Sequence, residues 1–519
     1  MIKKRTAGLM LSWAARQHRG RTALVFGNDC LTYEEVEAGS NRLAHALISL
    51  GLQVGERVAV LLDNSPEAIE SVFAVEKAGL VYVALNARHT LAEQIAILDD
   101  AGASLLVVGP QFREIGEGVR DRVASLRHVI GLGWQAPQVL EYRQVLAAMP
   151  ANAPNVQVSP DALLRIAYTS GTTGKPKGVT YTVKRWYERL TNHFYAMEYS
   201  LGVEDAMLHV GPLTHAAGVH LLPCYLRGAR NVILHKFEPV ETLQQIERHR
   251  ISQMMCVPTM LTRLLDTLDS GVAADLSSLK CIHYGTAPTS VDLIRRAIAR
   301  FGPVMRQQYG MTEAVQPLAV LYPHEHAEDA VLRSCGKPTA NVQITVRDGQ
   351  GEELPVGEIG EIALESFGIG EVAFWRRPDL EAEAIREGWY YSGDLGYLDA
   401  QGFLYIVGRN KDMIISGGFN VYAREVEDAL ESHPQVAEVA VLGLPDPEWG
   451  ERIAAFVVRR EGTTLDSETL GNHCAALIAG YKKPRLIEFI DALPRNNAGK
   501  VVKNILRDDY LARLERKSS

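Results

Sequence analysis

Short uninterrupted apolar runs, each followed by a stretch with helical spacing of its apolar residues, recur to about residue 330. Residues 58–62 form one such run. A helix pattern over 68–77 follows, Gly79 stops it, and residues 81–83 begin the next run. Residues 104–108 follow the helix pattern of 91–98 in the same way. The rhythm continues at 163–168, 206–210, 231–234, 254–257 and 279–284, with a helix pattern over 241–249. Only a strand covered on both faces has no polar side. Such runs alternating with helices therefore predict parallel sheets wrapped by helices, a doubly wound α/β architecture.

Past about residue 330 the texture changes to short strands at 342–346, 358–364, 396–398 and 403–407, with Asp399-Ala400-Gln401-Gly402 as a hairpin turn. Beyond Gly408 a compact α+β segment follows, with helix patterns at 425–430 and 467–477 and strand patterns at 436–442 and 454–458. Its length suits a separate domain. The expected division is residues 1–408 and residues 409–519.

A net charge of −8 argues against a generic nucleic-acid binder, so any anionic ligand must be met by local basic residues. Cys30, Cys224, Cys256, Cys281, Cys335 and Cys474 are scattered and show no metal-ligand spacing. They read as small core residues of a reducing compartment. The basic start Met1-Ile2-Lys3-Lys4-Arg5 leads into an apolar run that meets Arg16 without a cleavage site, and an amphipathic helix is expected there. No run approaches the length of a membrane span, and Lys517-Ser518-Ser519 is no peroxisomal signal. The cytoplasm is the expected compartment, with no nucleic acid and no integral membrane segment involved. A homodimer stays open.

Chemistry concentrates in Tyr168-Thr169-Ser170-Gly171-Thr172-Thr173-Gly174-Lys175-Pro176-Lys177-Gly178-Val179. Hydroxyls, glycine-exposed backbone N–H groups and lysines are an inventory for holding polyphosphate. The loop is expected to leave a sheet edge after the strand at 163–168. It is not a Walker loop, because Pro176 follows Lys175 and Gly171 and Gly174 are too close. A flexible surface turn is the plainer reading.

Further polar clusters follow in order. Thr214-His215 comes after a strand end, although a lone histidine is as readily structural. Tyr284-Gly285-Thr286-Ala287 and Tyr309-Gly310-Met311-Thr312-Glu313 each close a strand. The second offers an aromatic face for a base, a hydroxyl for phosphate and a carboxylate for Mg2+, or simply a turn in which Thr312 caps a helix. Asp394, in Tyr391-Ser392-Gly393-Asp394, suits a ribose diol or an ordinary surface turn. Gly408-Arg409-Asn410-Lys411-Asp412 and Ser416-Gly417-Gly418-Phe419-Asn420 make a charged corner and a turn, and Pro494-Arg495-Asn496-Asn497-Ala498-Gly499-Lys500 is a polar loop.

In this order and spacing the motifs resemble the adenylate-forming superfamily, in its acyl-CoA synthetase and aryl-CoA ligase branch. The resemblance covers essentially the whole chain. It implies a large N-terminal domain of doubly wound subdomains with a small β-barrel-like subdomain, and a small mobile α+β C-terminal lid. It also implies ATP, Mg2+ and coenzyme A: the carboxylic acid attacks the ATP α-phosphorus to give acyl-AMP and pyrophosphate, and a thiol then displaces AMP.

By this resemblance Thr169, Ser170, Gly171, Thr172, Thr173, Gly174 and Lys177 wrap the β- and γ-phosphates. Gly285, Thr286, Ala287, Gln308, Tyr309, Gly310 and Met311 frame the adenosine. Thr312 meets the α-phosphate, Glu313 helps to hold Mg2+, Asp394 takes the ribose hydroxyls and Arg409 reaches the nucleotide. Lys500 bridges the carboxylate and α-phosphate oxygens, and Lys411 is the hinge about which the C-terminal domain turns. Ser416, Gly417, Gly418, Trp449 and Lys483, with Lys482 and Arg485 beside it, are implied for the CoA end.

Relatives that activate amino acids place an Asp where this chain has Thr214-His215, which disfavours an amino acid. His215 would lie between acid pocket and thiol channel, with pocket walls from Asn192, Ala216, Ala217, Met255, Tyr284, Gln308, Gly310 and Gln316. Small and amide-bearing walls lean toward a substituted aromatic, alicyclic or medium-chain acid. A carrier-protein acceptor, a long-chain fatty acid and a non-catalytic adenylate binder are the alternatives.

Overall fold

Two large sheets form the frame of the computed structural model, which describes residues 4–170, 176–197, 201–214, 216–314, 316–366, 373–495 and 501–518. In the first, the strands run Ala373–Phe374, Pro176–Thr182, Leu163–Ser170, Val81–Ala84, Arg57–Leu61, Ala103–Val108, His128–Gly131 and Val139–Glu141. From Leu163–Ser170 onward the neighbours are parallel. Both faces are apolar. Val58 and Val60 face the helices Tyr33–Ser49 and Pro66–Lys77, while Ala59 and Leu61 face Leu91–Ala101. This two-sided burial is why the sequence shows unbroken runs.

The second sheet runs Lys337–Pro338, Ala319–Leu321, Met305–Tyr309, Cys281–Gly285, Gln253–Cys256, Ala206–His209, Arg230–Ile233, Thr22–Phe26 and Asp29–Thr32. Its central strands are parallel as well. The two faces differ in chemistry. Leu208, Val232, Met254, Ile282 and Tyr284 join one apolar cluster. The alternate residues His209, Asn231, Gln253, His283 and Arg306 are polar and buried on the other face.

The chain beyond residue 340 forms an antiparallel sheet of Val342–Arg347, Gly360–Ser366, Trp389–Leu398, Ile385–Arg386 and Leu404–Arg409. The expected Asp399–Gly402 hairpin is present, with Asp399 N–H donating to the Phe403 carbonyl at 3.0 Å. A last sheet joins Phe419–Val421, Ile414–Ser416, Gly450–Arg459, Val436–Asp446 and Leu486–Phe489, covered by the helices Ala423–Glu431 and Ser467–Leu477. The helix Ala423–Glu431 also packs on the strand Leu404–Arg409. The architecture is α/β, as expected: two doubly wound layers, a small antiparallel sheet and a terminal α+β unit.

Two expectations change. The phosphate-loop segment does not leave a sheet edge. Residues 171–175 connect adjacent antiparallel strands inside the sheet, with Ser170 opposite Pro176. The strand Pro176–Thr182 was hidden because it opens with Pro176-Lys177-Gly178, three residues disfavoured in strands. Thr312 is not a helix cap either, since a turn and not a helix follows it.

Candidate active site

The parallel strands of the second sheet end at Gly285 and Tyr309, and the strand Pro176–Thr182 of the first sheet reaches the same region through Lys177. Ligands of open α/β sheets bind beyond such strand ends. Tyr309 donates its hydroxyl to Asp394 Oδ2 at 2.7 Å. Burial and the neighbouring Asp394 carboxylate push the Tyr309 phenol far up, so it stays a donor. Asp394 stands inside the strand Trp389–Leu398 rather than in a surface turn, directly opposite Arg409. Arg409 Nε lies 3.1 Å from Asp394 Oδ1. The Asp394 side chain is 8% exposed while that of Arg409 is 51% exposed, so the guanidinium reaches into open space from a fixed carboxylate.

The turn Gly310–Glu313 is pinned from the hairpin side. Tyr181 donates its hydroxyl to the Thr312 carbonyl. Arg185, almost fully buried, donates to the Glu313 carbonyl at 2.5 Å and to the Thr180 carbonyl at 2.7 Å. Lys177 Nζ stands 3.0 Å from Glu313 Oε1 and 4.9 Å from the Phe374 ring centre. Sequence reasoning missed Tyr181 and Arg185. The available signal was Thr182, whose hydroxyl accepts from Arg185 N–H and starts the helix Val183–Ala196 just behind the loop.

At the end of the strand Cys281–Gly285, a Cβ on Gly285 would collide with the Gln308 carbonyl on the adjoining strand. Only glycine allows that approach. Thr286 follows with φ of 68°, a left-handed conformation that is strained for a β-branched residue. Ala287 is half-buried beside it. Together with Tyr309 these make a slot bounded by backbone.

Thr169 Oγ1 is buried without a hydrogen-bond partner among the described residues. A hydroxyl in that position fits a phosphate oxygen. No group of three metal-ligating side chains occurs among the described residues. A lone Glu313 carboxylate fits Mg2+ that arrives with phosphate ligands, the usual mode for this ion. Residues 171–175, His215 and Lys500 lie outside the described residues, as do the side chains of Ser170, Ala216 and Ala217.

The expected pocket walls separate into those brought together and one that is not. Gln308 Nε2 lies 3.7 Å from Met255 Sδ. Asn192 donates to the Pro317 carbonyl at 2.8 Å, next to Gln316, and a Cβ on Gly310 would sit 2.8 Å from Gln316 Cγ. Tyr284 points to the opposite face of the sheet, fully buried, where its hydroxyl meets His326 Nε2 at 2.9 Å. The period of two puts Gly285 and Gln308 on one face and Tyr284 on the other, so Tyr284 is not a pocket wall.

In the C-terminal unit Gly417 (φ 59°) donates its N–H to the Trp449 carbonyl at 2.9 Å. A Cβ on Gly417 would come within 2.7 Å of the indole. Ser416 is buried opposite Gly450, while Gly418 is exposed at the turn. The cation over Trp449 is Arg485, 3.8 Å from the ring centre. Lys483 instead lies against Gly471 of the helix Ser467–Leu477, and Lys482 pairs with Glu425 at 2.6 Å. Lys411 is exposed in the short turn Asn410–Asp412 between the antiparallel sheet and the last one.

Comparison with known proteins agrees with this arrangement. The family model of the AMP-binding enzymes matches residues 11–371, and that of the AMP-binding enzyme C-terminal domain matches residues 425–500. A feruloyl-CoA synthase from Amycolatopsis is 37% identical over 502 residues, covering 96% of this chain and 98% of the relative. A medium/long-chain-fatty-acid–CoA ligase from Mycobacterium tuberculosis is 34% identical, over 96% of this chain and 89% of the relative. Among solved structures, an amide bond synthetase from Marinactinospora thermotolerans superimposes with a TM-score of 0.87 at 30% identity, covering 97% of this chain and 99% of that one. With its motifs, sheet topology and both family models in agreement, the chain belongs to the AMP-binding enzyme family of adenylate-forming enzymes, the family of the acyl-CoA ligases.

Proposed function

We propose that the protein is an ATP-dependent carboxylic acid:CoA ligase acting on a substituted aromatic, alicyclic or medium-chain acid. The observation that carries this reading is the convergence of Tyr309, Asp394 and Arg409 beside the pinned Thr312–Glu313 turn. A carboxylate held by a phenol and a guanidinium keeps free lone pairs for two ribose hydroxyls. The Gly285–Ala287 backbone and the Tyr309 ring bound the adenine. Thr169 and Lys177 face the β- and γ-phosphates, and Thr312 the α-phosphate. Glu313 holds Mg2+, which neutralises charge on the phosphates.

The substrate carboxylate oxygen attacks the α-phosphorus, a P–O bond forms, and the bond to pyrophosphate breaks. Lys500 stabilises the negative charge that converges there; a compact ammonium on a flexible stem suits this. The CoA sulfur then attacks the acyl carbon, its proton is lost, and AMP leaves with the electron pair of the broken C–O bond. Lys411 is the hinge between the two poses, and residues 409–519 the lid that turns. Gly417, Trp449 and Arg485 form the CoA-side surface, with Arg485 in the place expected for Lys483. The cytoplasm, with its supply of ATP and CoA, is the proposed compartment; among the described residues no helix is long and apolar enough to cross a membrane.

The test is release of pyrophosphate from ATP with a panel of aryl, alicyclic and fatty acids, followed by thioester detection with free CoA. Acid-dependent pyrophosphate and acyl-CoA support the reading, and absence of pyrophosphate with every acid overturns it. The likeness to an amide bond synthetase favours one second reading, an amine acceptor. Pyrophosphate release followed by an amide, and by no thioester with CoA, would select it.

A further inference from the structure

The polar face of the second sheet is a buried layer of imidazoles and amides with one guanidinium, Arg306. His220, from the turn Ala216–His220, is fully buried. Its ring lies 4.3 Å from that of His283 and 5.1 Å from that of His193. His283 Nε2 is 2.9 Å from Gln253 Oε1. His220 Nε2 is 3.1 Å from Gln308 Nε2, whereas His220 Nδ1 is buried with no partner among the described residues.

Leaving a buried ring nitrogen unsatisfied is costly, and native proteins rarely do so without a ligand or a reason. Gln308 is half-buried at the strand end beside Gly285, and its Nε2 meets both His220 Nε2 and Met255 Sδ. Whichever imidazole nitrogen carries the proton, the other needs a partner of opposite sense. A hydroxyl can serve either tautomer, as both donor and acceptor. Burial first, then the neighbouring imidazoles and Arg189, hold the ring in its neutral form, so it brings no charge to offset a carboxylate buried beside it. Of the nearby guanidiniums, Arg306 donates to the Met197 carbonyl at 2.5 Å while its Nε is buried with no partner among the described residues, and Arg189 lies over the Trp186 ring.

The geometry points to His220 and Gln308 as the pair that reads a hydroxyl on the far end of the acid, so that the substrate is a hydroxylated acid. This rests on the ligase reading above and goes further by naming the substituent and the residues that select it.

The experiment measures kcat/KM for pyrophosphate release in two matched series: 4-hydroxycinnamate, cinnamate and 4-carboxycinnamate, and 10-hydroxydecanoate, decanoate and decanedioate. The hydroxylated acid is expected to lead its deoxy counterpart by at least about tenfold in one series, because a site with unpaired polar groups rejects the analogue lacking the partner. His220→Phe should bring that ratio to within about threefold through loss on the hydroxylated acid; Gln308→Met, whose residue also borders the proposed adenosine site, should narrow the ratio to the same extent whatever it does to the rate with either acid. Melting temperature and ATP binding confirm the fold; where His220→Phe fails to fold, Gln308→Met carries the test. Preference for the deoxy or dicarboxylic acid in both series, or a ratio that survives substitution, overturns the proposal. Pyrophosphate release that ignores the hydroxyl defeats this inference alone, whereas no release from any acid defeats the ligase reading and this inference with it.

Discussion

Tyr309 and Asp394 sit on different sheets, and the 2.7 Å bond from the phenol to the carboxylate locks one to the other. The bond fixes the Asp394 rotamer before any nucleotide arrives, leaving Oδ1 to Arg409. Preorganisation of this kind lowers the ordering cost of binding.

Tyr309→Phe is therefore expected to raise the ATP KM by about 3- to 10-fold, the loss of one hydrogen bond to a charged group with partial recovery through Arg409. Asp394→Ala, which removes the proposed ribose contact itself, should cost more. Initial rates of pyrophosphate release with ATP varied at saturating acid measure both, and an unchanged ATP KM in Tyr309→Phe would count against the ribose role.

The Lys177–Glu313 pair at 3.0 Å ties the strand after the phosphate loop to the turn after Tyr309. Both side chains are partly open, 26% and 13% exposed, so the pair can exchange for phosphate and Mg2+ at little cost. Glu313→Gln keeps the shape and removes the charge. Its Mg2+ half-saturation should rise about tenfold or more, as for a lost ligand or supporting partner, with the acid KM near wild type. A Mg2+ titration at fixed ATP reads this directly; identical curves for variant and wild type would refute the assignment.

Much of this geometry was legible in the sequence, and the reasons are physical. Two-sided burial leaves unbroken apolar runs, so residues 58–62 and 104–108 announced the first sheet. The strand ends at Gly285 and Tyr309 adjoin in the sheet and Tyr309 meets Asp394, a proximity that the family resemblance implied and no local pattern carries. What escaped was long-range. Nothing near Thr22–Phe26 says that it pairs with Arg230–Ile233 across the chain, and Arg185 reads as a solvated helix arginine until its carbonyl partners are seen. His220 was passed over for the same reason. Tyr284 was misplaced because a motif fixes a residue's position but not which face of the strand its side chain takes.

Lys500 and Lys411 should give opposite signatures. Lys500→Ala is expected to lower acyl-adenylate formation by about 10²–10³, as loss of an oxyanion donor does, while attack of CoA on preformed acyl-adenylate stays largely intact. Lys411→Pro, in the exposed turn Asn410–Asp412, restricts φ at the proposed hinge. It should impair thioester formation more than adenylation. Single-turnover assays of each half-reaction separate the two, and equal losses in both steps for either variant would sink that residue's role.

Glu70 offers a prediction about stability and pH. It is buried on the helix Pro66–Lys77, where burial first and the neighbouring Glu67 second raise its carboxyl from 4.5 to about 7; Tyr142 donates to it at 3.2 Å. The folded state thus binds this proton more tightly than the unfolded state. Its contribution is fully present below pH 4.5 and is lost as pH rises from there through about 7. Above pH 7 the folded protein carries a buried carboxylate at a cost of up to about 3 kcal/mol. Glu70→Gln keeps the shape and never ionises, so its melting temperature relative to wild type should climb between pH 5 and pH 8. Thermal denaturation across that range is the check, and a difference that stays flat or falls as pH rises would show that Glu70 does not hold its proton in the fold.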